Sequence, residues 1–482
     1  MITTALRSLA LLLALPAFAT SFVMVSDPEL AAQADAIVVG RIVAVEPRSD
    51  DQRPRTRYTV EVEEVVQGSI ATKSITVTVP GGIAKNGRGL VVHGAPAFLS
   101  GERTILFLER NADGFTPLHL MLGAFREQGR LATRDFSGAA EIGSASAEHR
   151  PRDFAKFTAW LRDTSRPRDY FVDLPHPRAR VTGQFTLFDI DGFSFRWFEF
   201  QWDNHVEFRI HELAGSDIDD RNVENVQRAL AVWSDNPGTL IDYRYAGRTT
   251  AQGGFTEPDG VNTVLFGDPN NDVPGRYRCL TGGVLAVGGS WFMSEGRIAW
   301  GGKERLVALE SEVIVNDGME CLFDKQHPDL EFQETLAHEL GHTLGFDHSC
   351  GDGIPCTDPK LDEALMRAFI HGGDRGPVLA EDDRNAATSL YEPVGPRVGF
   401  TVSRDLVRPN EPLRFAPTRA LEGVTYAWTF GDGAASSEAS PEHTYAKPGV
   451  YEIRLRATDA SGTNEIVRLL QVYGNKQRST RR

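Results

Sequence analysis

His338-Glu339-Leu340-Gly341-His342-Thr343-Leu344-Gly345-Phe346-Asp347-His348 is the stretch that decides the fold of the middle of the chain. Histidines at i and i+4 lie on one face of a helix, about one turn apart, so both imidazoles reach the same ion. A third ligand from that helix would miss the remaining vertex of a tetrahedron. Gly345 removes the difficulty, because glycine takes up positive φ cheaply and lets the chain leave the helix. His348 then returns from the following loop as the third ligand. Three protein ligands and one open position are the pattern of a catalytic zinc site rather than a closed structural one. Glu339, next to the first ligand, is placed as general base. Zinc lowers the pKa of a bound water from about 15.7 to near 7, so a carboxylate can remove its proton and pass it to a leaving amine. The expected reaction is hydrolysis of a peptide bond. With five positions fixed, a chance match in a chain this long is on the order of one in ten thousand. The competing reading is a helix with surface histidines, and Leu336, Leu340 and Leu344 supply an apolar face under either.

The surrounding pattern mixes helix and strand. Val223, Val226, Leu230 and Trp233 fall three or four apart and predict a helix, capped by Asp217 or Asp219 and stopped at Asn236-Pro237-Gly238. Strands are expected at Thr263 to Phe266, Gly283 to Val287 and Glu312 to Val315. A second helix starts near Asp329 and carries the histidines; a third runs from Ala380 to Tyr391, before Pro393.

In this order, the elements from Val181 to Tyr391 resemble the metzincin clan of zinc peptidases and, within it, the matrixins. His338 to His348 matches the clan's zinc signature, and Ser349 directly after it is matrixin-like. Ala364-Leu365-Met366 is similar to the turn whose methionine, here Met366, packs beneath the metal. Leu379 to Tyr391, with Asp382-Asp383, is similar to the closing helix. Gly283, Val284, Leu285 and Ala286 resemble the edge strand on which matrixins lay an extended substrate, backbone to backbone. The resemblance implies an α+β catalytic domain, one catalytic zinc ion, and a protein or peptide substrate. The chain departs from it in three places. Met366 follows His348 by 18 positions, no histidine lies between His211 and His327, and no cysteine precedes Cys279. These leave the wall near Arg367 unassigned, give no second structural zinc, and exclude a thiolate latency switch.

The rest of the chain reads as a multidomain protein. Residues 1–19 have the form of a signal peptide: Arg7, the apolar run Leu9 to Leu15, and Ala17-Phe18-Ala19 before the cut. That run is too short to span a bilayer, so an exported protein, extracellular or periplasmic, is expected. Residues 20–163 alternate like a small β-barrel, with a short helix at Asp27 to Ala34. Its strands are expected at Ile37 to Val45, Tyr58 to Val66, Ser74 to Val79 and Arg103 to Leu108. On strand pattern alone this part resembles oligosaccharide/oligonucleotide-binding and netrin-type barrels, and a propeptide or docking role is expected. Residues 164–180, rich in Arg, Pro and Asp, read as a linker, and 181–394 as the catalytic domain. Residues 474–482 read as a disordered basic tail.

Residues 395–473 read as strand throughout. Tyr426-Ala427-Trp428-Thr429-Phe430-Gly431-Asp432-Gly433, then Pro441-Glu442-His443-Thr444-Tyr445, resemble a PKD domain, an immunoglobulin-like β-sandwich. Trp428 and Tyr445 are expected in its core. Binding of substrate or of a surface does not follow from its fold.

Cys279, Cys321, Cys350 and Cys356 are even in number, which favours two disulfides in an exported chain, 350 with 356 and 279 with 321. The alternatives are free thiols or a structural zinc, and no Cys-x-x-Cys knuckle is present. Asp268-Pro269-Asn270-Asn271-Asp272 alternates oxygen ligands as a Ca2+ loop can, or as a solvated turn does; Val273 stands where an EF-hand needs glycine. The net charge of −15 is repelled by phosphate backbones, so nucleic acid is not an expected partner. A rival from another class is a binding protein whose metal domain no longer turns over. The intact Glu339 argues against it.

Overall fold

Alternating β-branched residues build the N-terminal part. The strands Ala36–Glu46, Arg55–Gln67, Ser74–Pro80 and Arg103–Asn111 lie where the alternation places them, each longer than the pattern by a few residues. Ala36–Glu46 pairs with both Arg55–Gln67 and Arg103–Asn111, and Ser74–Pro80 pairs with Arg55–Gln67. A fifth strand, Gly114–Pro117, runs antiparallel to Arg103–Asn111 and meets Ser74–Pro80 in parallel at Val77 and Phe115. The ring therefore closes, with Val38, Val60, Val77 and Leu106 buried inside.

The computed structural model describes residues 20–49, 53–136, 139–143, 146–173, 185–202, 204–211, 220–294, 296–300, 302–319, 328–349, 358–393, 395–404, 407–418 and 421–473. The expected signal peptide, the tail, Asp217, Asp219, Cys321, Cys350 and Cys356 lie outside these. Cys279 lies within them, and no described cysteine is free. The helices are α1 (Asp27–Gln33), α2 (Phe154–Arg162), α3 (Asp220–Ser234), α4 (Pro328–Thr343), α5 (Pro359–Asp362) and α6 (Glu381–Tyr391).

Two compact units emerge, one running up to Leu390 and one made of Phe198–Val206, Asn236–Asp242 and the chain from Tyr391 onward. The first holds both the barrel and a mixed sheet. That sheet runs in the order Tyr243–Thr249, Val206–His211, Asn262–Phe266, Lys303–Val315, Gly283–Met293, Thr20–Val23, Ala140–Ile142 and Phe369–Ile370. Val206–His211, Asn262–Phe266 and Lys303–Val315 are parallel, and Gly283–Met293 is antiparallel to its neighbour. α3 buries Val226, Leu230 and Trp233 as its periodicity predicts, and the Trp233 indole donates to the Ala337 carbonyl of α4 at 2.8 Å.

Residues expected to belong to the barrel leave it. Thr20–Val23, Arg88–Val92 and Ala140–Ile142 are strands of the mixed sheet, and Phe22 and Leu90 share one continuous core with Val284, Trp291 and Ile314. Alternation announces a strand but not its partner. The described part of the expected linker, 164–173, is likewise tied down. Tyr170 is fully buried against Phe157 and Trp160, and its hydroxyl donates to Asp27 Oδ2 at 3.0 Å. Arg152 grips the same carboxylate through two bonds of 3.1 and 2.8 Å. Burial alone would raise the Asp27 carboxyl, but Arg152 and Arg134 beside it hold it below the ordinary value. The Arg-rich composition here serves a buried charge network rather than a solvated spacer.

The second unit is a two-sheet sandwich. Phe400–Val402, Pro412–Pro417 and Glu442–Thr444 form one sheet; Ala435–Ser436, Thr425–Thr429, Gly449–Asp459 and Gly462–Val472 form the other. Trp428 and Tyr445 are buried in its core, and the Tyr445 hydroxyl donates to the Phe430 carbonyl at 2.9 Å.

Asp27→Asn should destabilise the first unit by about 3–5 kcal/mol, because it leaves Arg152 and Arg134 buried against a neutral amide. Asp27 is lowered in the fold, so its contribution is present above its ordinary value of 3.8 and lost as pH falls below it. Denaturant unfolding at pH 7 and in acid should therefore show the gap between parent and variant closing as pH drops.

Candidate metal centre

α4 carries His338 and His342 one turn apart, and the chain leaves it at Gly345, which has φ +95°. A side chain there would be strained, and its Cβ would come within 2.6 Å of the Phe195 carbonyl oxygen. The short strand Phe346–Asp347 then pairs with Thr186–Leu187 and presents His348 to the helix. Thr186 Oγ1 donates to the His348 carbonyl.

The three rings converge. His338 Nε2 lies 2.8 Å from His342 Nε2 and 3.1 Å from His348 Nε2, and all three residues are fully buried. With Nδ1 of His338 and of His342 each donating to a carbonyl, their Nε2 atoms are both acceptors and cannot hydrogen-bond each other. The spacing instead approaches the ~3.3 Å between nitrogens that share a tetrahedral zinc at 2.0–2.1 Å. Among the described residues, these are the sole group of three or more His, Cys, Asp or Glu with donor atoms within 4.8 Å of one another. The outer nitrogens fix the tautomers. His338 Nδ1 donates to the Leu365 carbonyl at 2.8 Å, and His342 Nδ1 donates to the Phe346 carbonyl at 2.7 Å, leaving each Nε2 lone pair facing inward. Burial pushes His338 and His342 well below the usual histidine range, so both stay neutral, the form that binds a metal.

Glu339, fully buried, faces the same space. Its Oε2 accepts the Gly288 N–H at 2.9 Å, and its Oε1 accepts the Ser21 hydroxyl at 2.5 Å. Burial pushes its carboxyl up to about 7, against the pull of Ser21 and Gly288. Met366 lies under α4 at Gly341, where an added Cβ would come within 2.3 Å of the Met366 sulfur. Its turn is held by Asp383 of α6, whose carboxylate accepts the N–H groups of Leu365, Met366 and Ala380 at 2.8, 3.0 and 2.7 Å. Asp383 thus fixes Leu365, the residue whose carbonyl orients His338. The far end of α4 is pinned by the Trp197 indole and the Tyr243 hydroxyl, both on Thr343 at 2.8 Å.

Gly283, Val284, Leu285 and Ala286 lie on a strand as expected, but it continues to Met293 and is not an edge: Thr20–Val23 and Arg88–Val92 pair with one side and Lys303–Val315 with the other. Asp347 Oδ1 accepts the His348 backbone N–H at 2.7 Å. His371 serves structure, placing Nδ1 on the buried Glu334 at 2.6 Å. Asp268 accepts the N–H groups of Asp272 and Val273, each at 2.9 Å, and so organises its own turn, while Asp272 accepts the N–H of the distant Phe255. Reading the sequence missed Ser21, Gly288, His93 and Phe188. The rings of His93 and Phe188 stack on His342 at 5.4 and 5.5 Å between centroids. None of the four carries a local signal, because each is brought in by pairing distant in sequence.

Residues 402–472 match the family described as PKD domain, and this part of the chain is a PKD domain. A stretch of 88 residues is 31% identical to "Collagenase ColA" of Bacillus cereus, covering 17% of this chain and 8% of that protein. A stretch of 168 residues is 26% identical to "Polycystin-1" of Homo sapiens, covering 32% of this chain and 4% of that one. The chain thus spans less than a tenth of the length of these curated relatives. Among solved structures, it is similar to the PKD1 domain of Vibrio anguillarum Epp, at 30% identity over 16% of this chain and 93% of that one, TM-score 0.14. It is also similar to the PKD1 domain from Vibrio cholerae metalloprotease PrtV, at 25% identity over 16% and 93%, TM-score 0.14. No described helix is long and apolar enough to cross a membrane.

Two substitutions away from the histidines should loosen zinc. Asp383→Ala frees the Leu365 turn, and Gly345→Ala displaces His348; each should weaken zinc binding about ten- to a hundredfold in competition with a chromophoric chelator.

Proposed function

We propose that the chain is an exported zinc metalloendopeptidase of metzincin, matrixin-like type, acting on extended protein segments. The observation that carries the reading is the convergence of three buried Nε2 atoms with both outer Nδ1–H groups fixed on carbonyls. His338, His342 and His348 would hold the ion. Zinc bound there supplies a water of lowered pKa and a Lewis acid for the substrate carbonyl. Glu339 takes the proton from the attacking water on a carboxylate oxygen and returns it to the nitrogen of the leaving amine. Gly283, Val284, Leu285 and Ala286 offer the backbone groups of one strand to an extended substrate, which sets its direction across the site. Met366 packs beneath the ligands. The sheet order agrees with the reading, because Gly283–Met293 runs antiparallel to its neighbour Lys303–Val315 and passes Glu339 at the Gly288 N–H. The short similarity to a collagenase and the PKD domain agree with it. Pairing of Cys279 with Cys321 and of Cys350 with Cys356 belongs to the same proposal, as does export. The PKD domain would hold substrate or a surface.

Glu339→Ala should keep its zinc and lose about a hundred- to ten-thousandfold in kcat/KM on a loosely folded protein such as casein. Zinc bound at one equivalent with equal rates in parent and variant would remove Glu339 from the chemistry. Zinc bound with no cleavage by the parent, even with residues 20–23 displaced, would favour the binding-protein reading.

A further inference from the structure

We infer that the full chain is self-inhibited, with the strand Thr20–Val23 lying in the groove where substrate would pair; this rests on the endopeptidase reading of the site. The strand runs antiparallel to Gly283–Met293, setting Thr20 against Val287, Ser21 against Ala286, Phe22 against Val284 and Val23 against Gly283. Gly283, Val284 and Ala286 are among the residues whose backbone groups are proposed for substrate. Further along, Arg88–Val92 covers the same edge from Gly289 to Met293. On this edge no stretch longer than a single residue is left for a third strand, and the other edge is taken by Lys303–Val315 from Ala286 to Phe292.

The inserted strand also engages the general base. Ser21 gives Glu339 a donor, its hydroxyl at 2.5 Å. With Gly288 on the other oxygen, both carboxylate oxygens already hold a donor from the chain itself, and the Ser21 hydroxyl takes an acceptor site that an attacking water would need. Two further contacts hold the strand down. Phe22 is buried and stacks on Phe136 with centroids 5.5 Å apart and planes within 9°. Thr20 Oγ1 donates to the carbonyl of His93, whose ring lies on His342. Thr20 and Ser21 are fully buried. A substrate can pair with Gly283 to Ala286 only after this strand has left, so its occupancy sets the rate.

The test compares the full chain with Ser21→Pro, which deletes the N–H and the hydroxyl, Phe22→Asp, which removes the anchor, and Ser21→Ala, which keeps every backbone pairing. Two rates are read for each: cleavage of fluorescently labelled casein, and loss of zinc to excess 1,10-phenanthroline. Ser21→Pro and Phe22→Asp should be roughly tenfold or more faster than the parent in both, and Ser21→Ala about threefold faster. Equal cleavage and equal zinc loss in parent and variants overturns the proposal and leaves the endopeptidase reading intact. Faster zinc loss with no cleavage in any of them keeps the inserted strand as the barrier and removes the endopeptidase reading instead. Ser21→Ala decides the matter if the two harsher variants do not fold, since an unchanged pair of rates there overturns the proposal.

Discussion

Three buried imidazole nitrogens, those of His342 and His348 each within about 3 Å of that of His338, are the constraint on which the rest of the first unit depends. Lone pairs directed at one point repel, and burial removes the water that would soften the repulsion. The arrangement persists only if each ring is held from behind. Carbonyls of Leu365 and Phe346 hold two of them, and the Gly345 turn delivers the third. Those carbonyls need their own support, which arrives as Asp383 under Leu365 and as the Trp197 and Tyr243 contacts at the end of α4. The geometry of the centre is therefore distributed over two helices, α4 and α6, and the turns and strands around them.

The local part of this was legible in the sequence. The i, i+4 histidines, the glycine that ends the helix and the histidine beyond it are within eleven consecutive residues, and chain stereochemistry alone makes them converge. The α3 face and the four barrel strands were legible for the same reason, since each is a periodicity within one segment. Trp428 and Tyr445 fell in the sandwich core as their aromatic character implied. Asp383 was visible as part of a closing helix, but its three backbone donors are not.

What escaped is long-range pairing. Ser21 and Glu339 are 318 positions apart, and nothing in either neighbourhood names the other. The closure of the barrel turns on a parallel meeting of Val77 with Phe115 that alternation does not encode. The segment around Tyr170 had the composition of a spacer, yet its arginines and tyrosine answer a single buried aspartate contributed from far upstream. Composition measures how polar a segment is, and not whether its polar groups find partners away from water. Pairings of such separation also delay folding, because the chain between them must be ordered before they form.

Met366 illustrates how little tolerance the centre has. Gly341 leaves the underside of α4 bare, and the thioether fills that space so closely that not even a methyl group fits between them. A sulfoxide would add an oxygen to that sulfur and require a hydrogen-bond donor in a region packed by the Trp233 ring. The fold protects the sulfur by burying it almost completely. An oxidant reaching it would therefore damage the floor of the centre without touching any ligand, making the redox chemistry of one methionine a route to inactivation.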